Sequence, residues 1–349
     1  MTKVRVGIVG LGKAAQLIHL PALRKVAEVE IVGGFDPAPP PGGLGIKQFT
    51  SFDDLLMDGR PDILVVATPP SSHAELASRG LKAGCHIFCE KPLANDLSEA
   101  DALIQLSAQA GRHVVVNSEF PFMSIHSAAK NAIDGGRYGA LQFMQARQTF
   151  VVTGQTEDGW RGEDRQRTFK EFGTHVLDLA KYFFGENPRS IRARMPRPGG
   201  GGGADYLNIV ELEFTGDRMA HIILDRLARG RHRYLDITLE CEKATIETSI
   251  GGRFEASAGL RAGSKRPFVE IDVALGGRAR LYEGDRFRTL ARAPIDLFAD
   301  GTAALFRSFL AALVSGKPPP NNLKDARQTL AMLYACYECA ADGSTRAIA

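Results

Sequence analysis

Two glycines separated by one residue, at the end of a short apolar run, could cradle a pyrophosphate. Val4, Val6, Ile8 and Val9 lead into Gly10-Leu11-Gly12-Lys13-Ala14-Ala15, and Leu17, Ile18 and Leu23 follow at helical spacing. Strand, tight turn and helix in that order let a backbone without Cβ atoms approach a ligand while the first amides of the helix point at it. Ala15 takes the third small position, which only has to let the helix pack on the strand. Gly10, Gly12, Lys13 and Ala14 are the candidate cofactor contacts. Asp36 lies 21 residues past Ala15 and ends the run Glu30–Phe35, where the second strand of a dinucleotide fold presents a carboxylate to the adenosine ribose. A carboxylate there repels a 2′-phosphate, which favours NAD and leaves NADP possible. Each signal alone has a plain alternative. Glycine turns join strands to helices that bind nothing, and an Asp before Pro37 also makes an ordinary turn.

A second constellation lies far down the chain. Written as a helix, Glu171, His175, Asp178 and Tyr182 fall at i, i+4, i+7 and i+11, with Phe172, Val176, Leu179, Ala180 and Phe183 on an apolar face. An imidazole titrating near neutrality can act as a general base, and Glu171 could orient it. The spacing alone also fits a solvated helix face. Cys336 and Cys339 form an i, i+3 pair with no second CxxC, so no metal site is expected.

The elements that must hold these groups alternate. Asp62–Ala67, Cys85–Cys89 and His113–Val116 are short apolar strands, and helical patterns through Glu75–Ala83 and Ser98–Ala110 separate them. This predicts a doubly wound parallel sheet with ligands at the carboxyl ends of its strands. A hinge is expected at Asn117–Phe122, giving a dinucleotide-binding Rossmann domain over 1–120 and an α+β domain over 121–349 with an open-faced, mostly antiparallel sheet. In the latter, Ser124–Ile133 reads as a helix, and Leu141–Val151, Ser190–Arg197, Leu207–Phe214, Met219–Leu224, Tyr234–Glu240 and Ala244–Ile250 read as strands. Leu305–Val314 and Leu323–Tyr337 read as closing helices. Gly199–Gly203 reads as a hairpin tip. The basic cluster Arg226, Arg229, Arg231 and Arg233 reads as a solvated loop or as a contact for an acidic partner.

Composition narrows the function classes. The 349 residues suit two domains, and 43 Lys plus Arg against 40 Asp plus Glu give a net charge of +3, too balanced to hold a nucleic-acid backbone. No apolar run reaches the ~18 residues of a membrane span. With Met1-Thr2-Lys3 running straight into a strand, a soluble cytoplasmic protein is expected. Five scattered cysteines argue against a disulfide framework.

Thr68-Pro69-Pro70 with His73, then Ala83-Gly84, then Glu90-Lys91-Pro92-Leu93-Ala94, following the glycine turn, resemble the Gfo/Idh/MocA family of nicotinamide-dependent oxidoreductases. The resemblance implies that Thr68, Pro69, His73, Glu90 and Lys91 border the cofactor and that Lys91 is the catalytic lysine, steadying the substrate oxyanion on the carbon that exchanges hydride. It implies His175 as the base. Two departures stand out: Glu119 where an arginine is often found, and Glu171-Phe172-Gly173-Thr174-His175 where the family has Asp-x-Gly-x-His. Trp160 and Arg161 resemble a further family feature, which makes them substrate contacts with Glu119, Glu171, His175 and Lys91. The implied activity is hydride transfer between nicotinamide and a hydroxyl-bearing carbon of a sugar, cyclitol or polyol, or reduction of the matching ketone. A homodimer or homotetramer through the C-terminal sheet is implied too. The alternatives are a redox-assisted glycoside hydrolase and a non-catalytic dinucleotide sensor.

Overall fold

The computed structural model describes residues 3–38, 44–150, 165–198, 204–229, 234–260, 267–284 and 286–348, and the chain forms two units. Trp160, Arg161, Arg231, Arg233 and the Gly199–Gly203 run lie outside the described residues.

The first unit comprises residues 1–122 and 298–331. Its strands β1 (Val4–Val9), β2 (Val29–Phe35), β3 (Ile63–Val66), β4 (His86–Cys89) and β5 (Val114–Val116) form a parallel sheet in the order β2-β1-β3-β4-β5. All residues of β3 and β5 are buried, as expected where both faces of a parallel sheet are covered. The helices start and stop where local chemistry dictates. After α1 (Leu20–Arg24), Ser51 caps α2 (Phe52–Met57) through the Asp54 amide at 3.0 Å, and Asp96 caps α4 (Leu97–Ala110) through the Glu99 amide at 2.9 Å. Between them, α3 (His73–Lys82) starts behind Ser72, whose hydroxyl turns back to Thr68 and Pro69 instead of capping it.

Residues 298–331 belong to this first unit, although the sequence pattern assigned them to the second domain. The reason is apolar packing: Ala299, Ala303, Phe306 and Phe309 share one core with Val6, Ile8, Val65 and Phe88. The helix Leu297–Ser315 that carries them is long and apolar enough to cross a membrane, and this face of it is core.

The second unit comprises residues 123–297 and 332–349. Helices α5 (Ser124–Asp134) and α6 (Thr174–Phe184) pack on a sheet built from β6 (Leu141–Thr149), β7 (Ser190–Arg194), β8 (Leu207–Phe214), β9 (Arg218–Asp225), β10 (Leu235–Cys241) and β11 (Thr245–Ile250). It continues through β14 (Gly277–Glu283), β15 (Arg286–Ala293) and β16 (Thr345–Ala347), while β12 (Arg253–Leu260) and β13 (Pro267–Ala274) form a separate hairpin. The order is β15-β14-β11-β10-β6-β9-β8-β7-β16, antiparallel except for the β6–β9 pair. The strands after Gly251 were not anticipated. In β14, Arg278 and Arg280 alternate with Ala279 and Leu281, and both arginines are buried, so the strand keeps the period of two but has no solvated polar face to mark it.

Candidate active site

In the first unit the groups of interest lie at the carboxyl ends of β1, β2, β3, β4 and β5. Gly10 has φ +87°, and a Cβ there would come within 2.6 Å of the Ala67 carbonyl oxygen, so only glycine fits. At Gly12 the situation is opposite: a Cβ would meet nothing within 4 Å. The turn is thus closed beneath by β3 and open above, with Gly12 and Lys13 exposed and Ala14 half-buried. Asp36 sits against it. Its Oδ2 accepts the Leu11 amide at 2.7 Å and its Oδ1 the Ala38 amide at 2.8 Å. Each oxygen keeps a second lone pair for a ribose hydroxyl. A pyrophosphate over the open turn and a ribose at Asp36 fit these residues.

Beyond the turn, the helical segment contains a π-turn (Ala15–His19) that aims the buried His19 at β4, placing its Nε2 2.8 Å from Glu90 Oε1. The Asn117 amide nitrogen, after β5, donates to the same oxygen at 2.8 Å, and Thr302 donates to Asn117 Oδ1 at 3.2 Å. Burial pushes the Glu90 carboxyl up. The His19 hydrogen bond and charge, the Lys91 charge and the Asn117 hydrogen bond outweigh it and hold the group at about 2. Lys91 follows, half-buried, joined to Pro92 by a cis peptide bond. Sequence reasoning missed His19 and Thr302. A histidine on the buried side of the first helix was the one available sign of the former.

His73 occupies a position behind this site. It is fully buried, with Nδ1 2.7 Å from the Pro92 carbonyl oxygen and Nε2 2.8 Å from that of Thr68. Burial pushes its pKa down, and the two carbonyls pull the other way. Both ring nitrogens are engaged with backbone. His73 therefore ties the Thr68-Pro69 turn to the Lys91-Pro92 turn, whereas the sequence reading made it a cofactor contact. Thr68 is half-buried, Pro69 is exposed, and Glu119 is buried in the segment after β5.

In the second unit a continuous helical segment carries Glu171 and His175, with a π-turn at Phe169–Gly173 ahead of α6. Gly173 is required there, because a Cβ would fall 2.5 Å from the Phe169 ring. Closing i to i+5 breaks the α-helical stacking of positions four apart, so the predicted polar stripe is divided. His175 is buried and Glu171 half-buried, Asp178 lies 3.7 Å from Lys181, and burial together with Asp134 pushes Tyr182 up to about 12. Arg226 is buried, not solvated. Its guanidinium stacks 4.8 Å from the Phe150 ring centre and donates to Thr168 Oγ1 at 3.4 Å. Among the described residues no group of three or more His, Cys, Asp or Glu could hold a metal ion.

Residues 4–118 match the oxidoreductase family with an NAD-binding Rossmann fold, and residues 126–247 match the GFO/IDH/MocA C-terminal domain. An oxidoreductase of Schizosaccharomyces pombe is 26% identical over 209 residues, 56% of this chain and 55% of that protein, so the match spans about half of that relative. Inositol 2-dehydrogenase of Rhizobium meliloti is 24% identical over 348 residues, 97% of each chain. Among solved structures, an Agrobacterium radiobacter oxidoreductase in complex with NAD+, L-tartaric acid and magnesium superposes with a TM-score of 0.82 at 19% identity, covering 99% of each chain.

Proposed function

The chain belongs to the GFO/IDH/MocA oxidoreductase family, and on that premise we propose that it transfers hydride between NAD and a hydroxyl-bearing carbon of a sugar, cyclitol or related polyol, in either direction. The open glycine turn carries the reading: Gly10 is closed against β3, while Gly12 leaves room where a phosphate would lie. Gly10, Gly12, Lys13 and Ala14 would hold the pyrophosphate and Asp36 the adenosine ribose. When bound, the nicotinamide supplies the hydride acceptor. The Lys91 ammonium donates to the substrate oxygen and steadies its developing negative charge. His175 takes the hydroxyl proton, and Glu171 orients the imidazole. Glu119, Trp160 and Arg161 are assigned to substrate recognition with them.

The test is a panel of polyols and keto-sugars with NAD and NADP, followed at the NADH absorbance. Net NADH formation from one polyol class, slowed about 100-fold or more in Lys91→Ala, is the expected result. Tightly bound NAD with no turnover across the panel would reassign the chain to a dinucleotide sensor, and glycoside cleavage without net NADH would make it a hydrolase. The sheet face turned away from α5 and α6 carries half-buried Phe143, Ile209 and Ile223. We read it as the surface of a homodimer or homotetramer, to be checked by light scattering.

A further inference from the structure

The segment that carries Glu171 and His175 begins at Arg167, and neither Arg165 nor Gln166 ahead of it is a capping residue. Its first amides need acceptors from elsewhere. They find one far along the chain. The Thr168 amide donates to Asp205 Oδ1 at 2.8 Å and the Phe169 amide to Asp205 Oδ2 at 3.0 Å. Asp205 is fully buried, and the Tyr337 hydroxyl donates to its Oδ2 at 2.7 Å while also lying against the Gln166 carbonyl. The backbone of Asp205 is fixed as well: its amide donates to the Arg165 carbonyl at 3.1 Å, and the Asn208 side-chain amide donates to the Asp205 carbonyl at 2.8 Å. Arg226, at the end of β9, holds Thr168 from the side.

We propose that Asp205 is a positioning residue for His175, setting the rotation of the π-turn through its hold on Thr168 and Phe169. The transmission is short. Phe169 opens the π-turn and packs its ring on Gly173 so closely that a Cβ there would clash at 2.5 Å. Gly173 is two residues from His175. A turn of Phe169 therefore moves the backbone from which the imidazole projects, and a misplacement of about 1 Å at a catalytic group can cost about 100-fold in rate. A carboxylate is the group that suits this place, since it accepts two amides at once and its charge complements the N-terminal end of the helix dipole.

The role in catalysis rests on the polyol reading above, so the experiment separates the two. In Asp205→Asn an NH2 group would face an amide donor. We expect kcat to fall about 10- to 100-fold while the KM for polyol and the NAD dissociation constant change less than about threefold. Hydrogen exchange should rise over residues 167–175. Tyr337→Phe leaves both amide bonds and should lower kcat about two- to fivefold, and it carries the kinetic test should Asp205→Asn fail to fold. Unchanged kcat per folded molecule, with only the melting temperature lowered, overturns the proposal. If the wild-type enzyme turns over no polyol, the functional reading falls separately. The imidazole NMR resonances of His175 then decide: a shift in either variant supports positioning by Asp205, and unshifted resonances in both overturn it.

Discussion

His19 Nε2 lies 2.8 Å from Glu90 Oε1, joining the helix that leaves the glycine turn to the strand end that presents Lys91. The Asn117 amide on the same oxygen ties in β5. The carboxyl ends of β4 and β5 and the helix after the glycine turn thus meet at a single largely buried carboxylate, beside the lysine proposed to do chemistry. A buried charge persists only when it is paired and hydrogen-bonded, and Glu90 is both.

The acid stability of the first unit follows from this. Glu90 is held at about 2 in the fold against an ordinary 4.5. A carboxyl whose folded value is depressed contributes its stability above the unfolded value and loses it as pH falls through the folded one. The contribution, roughly 3 kcal/mol, is therefore present above about pH 4.5 and disappears between there and about pH 2. Urea unfolding at a series of pH values should show this slope in the wild type and a flatter one in Glu90→Gln, which should be less stable at neutral pH. Equal slopes would show that the carboxylate is not held as described.

The two glycines of the first turn should fail differently. Gly10→Ala forces a Cβ into the Ala67 carbonyl at φ +87° and should destabilise the unliganded protein by about 2 kcal/mol or more. Gly12→Ala meets nothing within 4 Å. Its melting temperature without cofactor should match the wild type, while NAD affinity drops about tenfold or more, the methyl occupying the place of a phosphate. Calorimetry of both variants with and without NAD checks the pair. A Gly12→Ala protein that binds NAD normally would mean that the turn is not the cradle.

How much of this was legible in the sequence depends on the range of the interactions. Ile63–Val66 and Val114–Val116 could be read because a strand buried on both faces needs nothing but apolar residues. The glycine turn and Asp36 could be read because their spacing is local. The split stripe at Glu171 and His175 could not, since the π-turn depends on Phe169 packing over Gly173 and on an acceptor at Asp205. Arg226 looks like one member of a solvated basic run until Phe150 and Tyr206 fold around it. His73 matches a motif, yet its work is to hold two turns together from behind, a role that no spacing displays.

Lys91 and His175 should show coupled effects on kcat. Lys91→Ala is expected to lower kcat about 100-fold or more with NAD affinity little changed, as loss of an oxyanion donor does. If His175 acts on the same hydroxyl, the Lys91→Ala, His175→Ala double variant should be hardly slower than the worse single one, because residues that act as a unit are strongly non-additive. Fully multiplicative losses would place the two groups in separate steps.

Cofactor choice should turn on Asp36. Its carboxylate accepts the Leu11 amide through Oδ2 and the Ala38 amide through Oδ1, so it shapes the turn as well as offering lone pairs to a ribose. Two variants separate these duties. Asp36→Asn keeps one acceptor oxygen and removes the charge, whereas Asp36→Ala removes both. The charge is what opposes a 2′-phosphate, and hydrogen bonds to charged groups contribute about 1.5 to 3 kcal/mol. The ratio of kcat/KM for NAD over NADP should therefore fall about 10- to 100-fold in both variants, and the melting temperature should fall further in Asp36→Ala. A wild-type protein that already prefers NADP, or a ratio untouched by either change, would remove Asp36 from cofactor selection and leave it only its two backbone amides.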